Sequence, residues 1–348
     1  MKAAVMEAYR APLVVREVPD PRPTPDGAVI RVEANGICRS DWHGWAGDWP
    51  KFFDLPHVLG HEMCGVVEEV GAEVEVFRPG ARVIVPFSSG DGSCRWCRSG
   101  LAHLCDNPIT VGFSTWGGFA QFFAIEHADF NLVALPEAVD FVAGAGMGCR
   151  FMTAFHGIAD RAAVKAGEWV VVHGCGGIGL SAVQIASALG ANVIGVDIGE
   201  DKLDFAKELG AVEVVNASES NNPARAVREI TGGGAHVSVD ALGIEATCRN
   251  AIKSLRQRGR HVQIGITTGA AAGDLSVPID LIVNKEIELL GSRGMPVTEY
   301  EAMLRMVAAG RLDPGRLVTR RVALEETGAV LAAMDDYDTL GFTVIDRF

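Results

Sequence analysis

The pattern of apolar and polar positions changes near residue 151. Before it, apolar and β-branched residues come in short runs separated by Gly, Pro and Asp, a pattern that predicts strands. Residues 19–27 form a surface loop, and residues 88–112 show little periodicity. The strands are predicted at 2–7, 13–18, 28–33, 65–70 and 81–85. We therefore expect a β-rich N-terminal domain.

After residue 151, strand-like runs alternate with helical periodicity, which predicts a doubly wound parallel sheet of the α/β class. The C-terminal segment either extends this sheet or returns to the first domain, and the pattern alone leaves both open. Strands are predicted at 169–173, 193–197, 212–215, 235–239, 261–266, 286–291, 318–323 and 343–347, and helices at 178–189, 199–209, 223–231, 245–258 and 298–309.

A glycine-rich turn lies between the first predicted strand of this part and the helix that follows. Gly174, Gly176 and Gly179 have G-x-G-x-x-G spacing. In such a turn the first glycine permits the bend, the second lets the backbone approach a pyrophosphate, and the third lets the helix pack on the strand. The helix N-terminus offers free N–H groups to the phosphates. Asp197 ends the next strand, where a carboxylate meets ribose hydroxyls and repels a 2′-phosphate, so we expect NAD rather than NADP.

Composition narrows the class of protein. The chain has 348 residues, enough for two domains, and 31 Lys and Arg against 44 Asp and Glu give a net charge of −13. An acidic surface argues against nucleic acid or an anionic membrane as partner. The first residues lack the apolar core of a signal peptide, and no apolar run is long enough for a membrane span, so we expect a cytoplasmic protein. In that compartment the eight cysteines favour metal binding over disulfides.

Three residues offer the ligands of an open zinc site. Cys38, His61 and Cys149 would supply two thiolates and one imidazole, and they would leave the fourth position of a tetrahedral zinc free. Their spacing does not show that they converge. Taken singly, each also fits a buried structural thiol or a core histidine.

Together the motifs resemble the zinc-dependent alcohol dehydrogenases of the medium-chain dehydrogenase/reductase family. The resemblance covers nearly the whole chain and rests on CRSDWH at 38–43, GHE at 60–62, the cysteine lobe at 91–105, GCRFMT at 148–153 and the fingerprint at 174–179. It implies a GroES-like catalytic domain at 1–150, a Rossmann NAD-binding domain at 151–290, and a return to the catalytic domain at 291–348.

The resemblance also implies a role for individual residues. A catalytic zinc is implied on Cys38, His61 and Cys149, with Glu62 as an acid that approaches the metal during ligand exchange. Proton transfer from the alcohol is implied for Ser40 and then His43, and Asp41 is implied as a carboxylate that orients a ligand. The cofactor-binding residues implied are Arg39, Thr153, Gly174, Gly176, Gly177, Ile178, Gly179, Asp197, Lys202, Gly265 and Ile266.

The cysteine lobe departs from the family pattern. The family's structural zinc uses C-x2-C-x2-C-x7-C, and Cys94, Cys97 and Cys105 fill the last three places, whereas Asp91 occupies the first. Because a carboxylate oxygen is an acceptable zinc ligand, we expect a structural zinc held by these four residues. The alternative is a lobe that has lost its metal and carries three free thiols.

By position in the family, Trp49, Phe87 and Phe119 line the substrate pocket. Aromatic walls favour an apolar alcohol, of medium chain length or aromatic, and its aldehyde or ketone. Two alternatives remain: these rings fill a core or interface, or Trp49 narrows the pocket for small primary alcohols.

The sequence therefore predicts an NAD-dependent zinc alcohol dehydrogenase that acts on a small molecule. A polyol dehydrogenase is a weaker alternative, since that branch typically has an acid at the position of Cys149. A non-catalytic nucleotide-binding member is weaker still, because the ligands and the proton relay are all present. By analogy with bacterial members of this length, we expect a homotetramer.

Overall fold

The computed structural model describes residues 1–267, 273–336 and 338–348. The chain forms two compact units, one from residues 1–152 and 294–348 and the other from residues 153–293. None of the described helices is both long enough and apolar enough to cross a bilayer.

The first unit is built mainly from short antiparallel strands, as the runs of β-branched residues predict. Up to the boundary its elements are β1 (Lys2–Met6), β2 (Val14–Glu17), β3 (Ala28–Ile37), α1 (Arg39–Ala46), β4 (His57–Val58), β5 (Glu62–Val70), β6 (Arg82–Val85), β7 (Ser88–Ser89), α2 (Arg95–Arg98), β8 (Ile109–Thr110), β9 (Phe122–Ile125), α3 (Ala128–Asn131), β10 (Val133–Ala134), α4 (Phe141–Ala145) and α5 (Arg150–Phe155), and the boundary falls within α5.

The second unit alternates strands and helices. After a π-helix at His156–Arg161 come β11 (Trp169–His173), α6 (Gly177–Ala188), β12 (Asn192–Asp197), α7 (Glu200–Glu208), β13 (Ala211–Asn216), α8 (Pro223–Ile230), β14 (Ala235–Asp240), α9 (Glu245–Lys253), β15 (Leu255–Gln263), α10 (Ile279–Lys285) and β16 (Glu288–Gly291).

The C-terminal segment belongs to the first unit. It contains α11 (Tyr300–Ala308), β17 (Val318–Ala323), α12 (Thr327–Ala333) and β18 (Phe342–Arg347). Short 3₁₀ helices lie at 50–52, 102–104, 146–148, 297–299, 314–317, 324–326 and 334–336.

The main sheet of the first unit has the order β10-β6-β5-β3-β18-β17, with β9 also paired to β3. A smaller sheet has the order β2-β1-β4. In the main sheet β3 pairs antiparallel with β5, and Gly36 lies opposite Glu62. This register brings the end of β3 beside the start of β5, and residues flanking those two ends carry the candidate metal ligands.

The second unit contains a six-stranded sheet in the order β13-β12-β11-β14-β15-β16, and every pair in it is parallel. Val170, Val171 and Val172 of the central strand are fully buried, as expected for a parallel sheet with helices on both faces. The predicted doubly wound sheet is confirmed.

The structure corrects the helix predicted at 245–258 and the strand predicted at 261–266. The helix ends at Lys253, and β15 already begins at Leu255. Leu255 pairs with Ala235 of β14 and is fully buried, so sheet pairing and core packing override the helical periodicity there. The prediction also missed α10, whose seven residues are too few for a clear period.

Candidate zinc and dinucleotide sites

Three buried candidate ligands converge in the first unit. Cys38 caps the N-terminus of α1, directly after β3, while His61 immediately precedes β5 and Cys149 immediately precedes α5. Their ligating atoms all lie within 4.8 Å of one another. All three side chains are buried. The pairing of β3 with β5 explains why the first two ligands meet although 22 residues separate them in sequence.

Asp41 orients this cluster from inside the fold. Its side chain is fully buried, and Oδ1 lies 2.8 Å from Nδ1 of His61. Oδ1 also accepts a hydrogen bond from the N–H of Gly60 at 3.1 Å, and Oδ2 accepts one from the N–H of Cys38 at 2.8 Å. A single carboxylate thus fixes the imidazole of one ligand and the backbone of another.

The imidazole of His61 has one nitrogen left for a metal. Because Nδ1 lies 2.8 Å from Oδ1 of Asp41, Nε2 is the nitrogen left for a ligand, and this buried atom has no hydrogen bond of good geometry within the described part of the chain. A buried polar atom without a partner is costly unless a ligand satisfies it. Two thiols and one such imidazole nitrogen match the donor set of a zinc ion with an open fourth position.

The two thiols differ in acidity. The pKa of Cys38 is held well below its ordinary value, first by a hydrogen bond from the thiol of Cys149 and then by its interactions with His61, against the opposing effect of burial. The same hydrogen bond, together with burial, raises the pKa of Cys149. The thiol of Cys38 is therefore the more acidic of the two, and it accepts the hydrogen bond of Cys149.

Glu62 and Arg150 form a buried ion pair beside the cluster. Glu62 directly follows His61 in sequence, and Arg150 directly follows Cys149. Nε of Arg150 donates to Oε1 and Oε2 of Glu62 at 3.0 and 2.9 Å. The sequence-based interpretation named Glu62 and missed Arg150, although an arginine directly after a ligand was a readable signal.

The residues proposed for proton transfer lie on α1. Ser40 is partly exposed in the first turn, and His43 lies one turn later. Nδ1 of His43 is 2.6 Å from Oδ2 of Asp48. Burial lowers the pKa of His43, and the hydrogen bond to Asp48 opposes this effect. Asp48 was not among the predicted site residues.

Arg39, predicted to contact a pyrophosphate, begins α1. Its guanidinium lies over the ring of Trp42, 3.7 Å from the centroid, and Nη1 donates to the carbonyl of Met334.

Aromatic rings lie close to His61, on one side of the ligand cluster. Phe87 and Phe113 have ring centroids 6.0 and 5.1 Å from that of His61. Phe113 is also 6.0 Å from Trp49, whose ring is 5.1 Å from His43. Phe113 therefore joins both groups of rings, and the prediction missed it because it lies in an irregular segment. Phe119 is fully buried in the core, which favours the packing interpretation for that residue.

The cysteine lobe brings its four predicted ligands together. The ligating atoms of Asp91, Cys94, Cys97 and Cys105 all lie within 4.8 Å of one another, and all three cysteines are free thiols. Sγ of Cys94 lies 3.6 and 3.8 Å from the other two sulfur atoms. Sγ of Cys97 is 3.5 Å from Oδ1 of Asp91. Such a cage of three thiols and a carboxylate fits a tetrahedral zinc.

Backbone and side-chain donors prepare the lobe for a cation. Asn107 donates to Oδ2 of Asp91 at 3.0 Å, and this bond, with the N–H groups of Ser93 and Cys94, holds the pKa of that carboxyl well below its usual range. A hydrogen bond from the backbone N–H of Cys97 to Sγ of Cys94 lowers the pKa of Cys94 to about 7. The carboxylate and one thiol therefore ionise readily near neutral pH.

The dinucleotide fingerprint lies in the second unit with the expected geometry. Gly174 has a φ of +89°, which only glycine adopts readily. A Cβ on Gly179 would lie 1.8 Å from the carbonyl oxygen of Gly174, whereas a Cβ on Gly176 would meet nothing within 4 Å. The third glycine is thus required for packing, and the second leaves open space at the N-terminus of α6.

Asp197 ends β12 beside this turn. Its Oδ2 accepts a hydrogen bond from the N–H of Cys175 at 2.6 Å, and its Oδ1 accepts one from the N–H of Ile198 at 2.8 Å. The carboxylate is therefore fixed next to the glycine turn.

The other predicted cofactor residues occupy several elements. Gly177 and Ile178 open α6, Lys202 lies in the first turn of α7, and Thr153 is buried in α5. Gly265 follows β15 and is packed so closely that a Cβ there would lie 2.2 Å from the N atom of Gly243. The next residue, Ile266, is 59% exposed.

Known proteins resemble the chain over nearly its full length. The family model described as alcohol dehydrogenase GroES-like domain matches residues 24–137, and that described as zinc-binding dehydrogenase matches residues 177–309. An alcohol dehydrogenase of Geobacillus stearothermophilus is 36% identical over 313 residues, 90% of each chain. An NAD-dependent alcohol dehydrogenase of Sulfurisphaera tokodaii is 31% identical over 354 residues, 99% of each chain. The alcohol dehydrogenase structure from Thermus sp. ATN1 superposes with a TM-score of 0.91 at 30% identity and covers 100% of both chains.

Proposed function

Since the chain belongs to the zinc-dependent alcohol dehydrogenases of the medium-chain dehydrogenase/reductase family, we propose that it interconverts alcohols and aldehydes or ketones with NAD. The observation that carries this proposal is the buried cluster of Cys38, His61 and Cys149, with the unpartnered Nε2 of His61 among its ligand atoms. Most buried polar side-chain atoms are hydrogen-bonded, so a buried imidazole nitrogen without such a bond beside two thiols favours a metal site.

Each residue of the cluster has its own task in the reaction. When bound, a zinc on Cys38, His61 and Cys149 supplies a Lewis acid that lowers the pKa of an alcohol hydroxyl, and NAD supplies the hydride acceptor. Asp41 fixes the orientation of the His61 ring through Nδ1 and would leave Nε2 available to the metal. Ser40 accepts the hydroxyl proton and passes it to His43, whose ring Asp48 orients.

NAD binds through the glycine turn of the second unit. The open space at Gly176 and the N-terminus of α6 support a pyrophosphate site there. The fixed carboxylate of Asp197 favours ribose hydroxyls and disfavours a 2′-phosphate. Arg39, Thr153, Lys202, Gly265 and Ile266 complete the proposed cofactor contacts.

We assign residues 1–150 and 291–348 to the catalytic domain and residues 151–290 to the NAD-binding domain. The two compact units, which divide at residues 152 and 293, support this assignment.

A second, structural zinc is held by Asp91, Cys94, Cys97 and Cys105. The proximity of the four ligand atoms and the absence of disulfides among the cysteines support this site over a lobe that has lost its metal. A hard carboxylate replaces one soft thiolate and keeps the ligand charge.

The substrate is an apolar alcohol. The rings of Trp49, Phe87 and Phe113 near His61 and His43 support this class, because apolar walls favour medium-chain or aromatic carbon skeletons. A series of rates from ethanol to octanol and benzyl alcohol, with NAD and with NADP, tests it. Rates that fall steeply beyond ethanol would contradict the apolar class.

Replacing a ligand separates zinc catalysis from nucleotide binding. Cys38→Ser is expected to abolish turnover while NADH still binds, since the glycine turn is unchanged. Zinc content of the purified protein, expected at two ions per chain, is measured in parallel. Retained turnover in Cys38→Ser would exclude catalysis by this ligand set.

We also propose a cytoplasmic homotetramer. The eight free cysteines support a reducing compartment. The edge strand β16 leaves one side unpaired within the described sheet. Leu289 of β16 and Ile279 and Val283 of α10 are 46%, 58% and 68% exposed, which supports association of copies in this part of the unit. Light scattering coupled to gel filtration measures the mass directly.

A further inference from the structure

The residues that follow two of the zinc ligands are bonded to each other. Glu62 comes directly after His61 at the start of β5, and Arg150 comes directly after Cys149 at the start of α5. Their ion pair therefore ties together two ligand-bearing segments that lie 88 positions apart in sequence.

Arg150 holds the Glu62 carboxylate at both oxygen atoms. The backbone N–H of Arg150 donates to Oε1 at 2.8 Å, Nε donates to Oε1 and Oε2 at 3.0 and 2.9 Å, and Nη2 donates to Oε2. The carboxylate is fully buried, and the arginine side chain is 6% exposed. Water does not compete for either group, so the hydrogen-bonded ion pair between Arg150 and Glu62 has a well-defined geometry.

The surroundings leave the pair little freedom. The guanidinium of Arg150 lies against the ring of Phe342, 3.9 Å from the centroid. On the opposite strand, a Cβ on Gly36 would lie 2.0 Å from Oε2 of Glu62. Glycine at that position makes room for the carboxylate, and packing holds it in the orientation that faces Arg150.

A carboxylate next to a zinc ligand is itself a competent ligand for zinc. Glu62 is that group here, and a buried carboxylate that loses its cationic partner must find another cation or take up a proton. Arg150 and a neighbouring metal ion therefore compete directly for the Glu62 carboxylate.

We propose that Arg150 is a positioning residue that keeps the Glu62 carboxylate out of the zinc coordination shell and thereby slows release of the catalytic zinc. This inference rests on the proposed function only in requiring zinc on Cys38, His61 and Cys149. It assigns Arg150 a role in metal retention that acts through Glu62.

The test measures zinc release from the loaded enzyme into a chromophoric chelator. Arg150→Met keeps an unbranched, somewhat shorter side chain and removes the charge and all side-chain donors. We expect release to accelerate by about tenfold or more, the scale on which partners of metal ligands act. The double variant Arg150→Met/Glu62→Gln is expected to release zinc within about threefold of the parent, because it retains neither a carboxylate to displace a ligand nor an unpaired buried cation.

A spectroscopic readout separates this role from simple support of the fold. With cobalt(II) in place of the catalytic zinc, entry of a further ligand weakens the visible absorption bands. We expect weakened bands in Arg150→Met and bands like those of the parent in the double variant. Arg150→Lys keeps the charge but not the forked grip, so its release rate is expected between those of the parent and Arg150→Met.

Arg225→Met, which breaks an exposed pair with Glu229, is the matched control and is expected to leave release unchanged. If Arg150→Met does not fold, the zinc release rate of Arg150→Lys is compared with that of the parent instead. Release from Arg150→Met at the parent rate, or equally fast release from the double variant, would overturn the inference. A parent that binds no zinc would instead overturn the proposed function.

Discussion

Oδ2 of Asp48 lies 2.6 Å from Nδ1 of His43, and this contact fixes which ring nitrogen of the histidine is free. The side chain of His43 is 13% exposed and that of Asp48 is 30% exposed, so one end of the pair lies near the surface. The rings of Trp42 and Trp49 flank His43 with centroids 5.0 and 5.1 Å away. The imidazole is therefore oriented by one polar contact and by two apolar neighbours.

Asp48→Asn is expected to shift the pH profile of alcohol oxidation. His43 accepts a proton only when neutral, so the rate rises with pH through its pKa. Asp48 raises that pKa against the lowering effect of burial, so removal of its charge lowers the pKa and moves the rise to lower pH. We also expect kcat to fall by up to about tenfold as the ring loses its orientation. Asp204→Asn is the exposed control, and an unshifted profile would exclude this role.

Asp41→Asn is expected to weaken binding of the catalytic zinc. The carboxylate contacts the ring of His61 and the backbone of Cys38 and Gly60, so an amide there disturbs three supports at once. Loss of such a partner typically costs about 10- to 100-fold in metal affinity. Competition with a chelator of known affinity measures it, and Asp280→Asn on the surface is the control. Unchanged affinity would show that packing alone orients the histidine.

Substitution of Asp91 tests the structural zinc. Asp91→Cys restores a fourth thiolate and is expected to keep two zinc ions per chain. Asp91→Ala removes one ligand and is expected to lower the content to about one, with faster proteolysis within residues 91–107 because little else packs this lobe. Metal analysis and limited proteolysis check both. Two zinc ions in the alanine variant would exclude Asp91 as a required ligand.

Asp197→Asn is expected to relax the preference for NAD. The amide oxygen still accepts a hydrogen bond, as Oδ2 does now from Cys175, but the charge that repels a 2′-phosphate is gone. We expect kcat/KM with NADP to rise by at least about tenfold, or about 1.4 kcal/mol. Asp197→Ala loses the hydrogen bonds as well, and its use of NAD should fall further. If the parent and Asp197→Asn discriminated equally between NAD and NADP, another residue would determine the cofactor specificity.

Two alanine substitutions in the glycine turn are expected to affect different properties, stability in one case and NADH affinity in the other. A Cβ on Gly179 collides with the carbonyl oxygen of Gly174, so Gly179→Ala should lower the melting temperature of the free protein. A Cβ on Gly176 meets only open space, so Gly176→Ala should fold normally and lose NADH affinity. Thermal melts and NADH fluorescence titration separate the effects. If Gly176→Ala binds NADH as the parent does, the pyrophosphate does not approach this turn.

The parallel sheet was readable from the sequence because each strand is a short apolar run bounded by turn residues. Val170–Val172 and the glycine turn that follows are local features whose spacing alone defines their geometry. The boundary between α9 and β15 was not readable in this way. Residues near 255 keep a helical period, and only pairing with Ala235 across the sheet makes them a strand.

The candidate metal ligands show the same contrast. Asp91, Cys94, Cys97 and Cys105 were predictable as a group because local spacing brings them together. The convergence of Cys38, His61 and Cys149 depends on the register of β3 against β5 and on the approach of α5, which no local pattern reveals. Phe113 was missed for that reason, since its partners are distant in sequence and it lies in an irregular segment. Arg150 adjoins a ligand in sequence, but its partner Glu62 lies 88 positions away.

The spacing of the two candidate ligand sets also predicts the order in which they would bind zinc. All ligands of the lobe lie between positions 91 and 105, so closing that loop costs little entropy, and a nascent chain can bind zinc there once this short segment is exposed. The ligands of the other site span positions 38 to 149, and they meet only after β3, β5 and α5 are assembled. We expect cells starved of zinc to accumulate a folded, half-loaded enzyme that is intact in its lobe, lacks its catalytic ion, and can be activated by zinc without refolding.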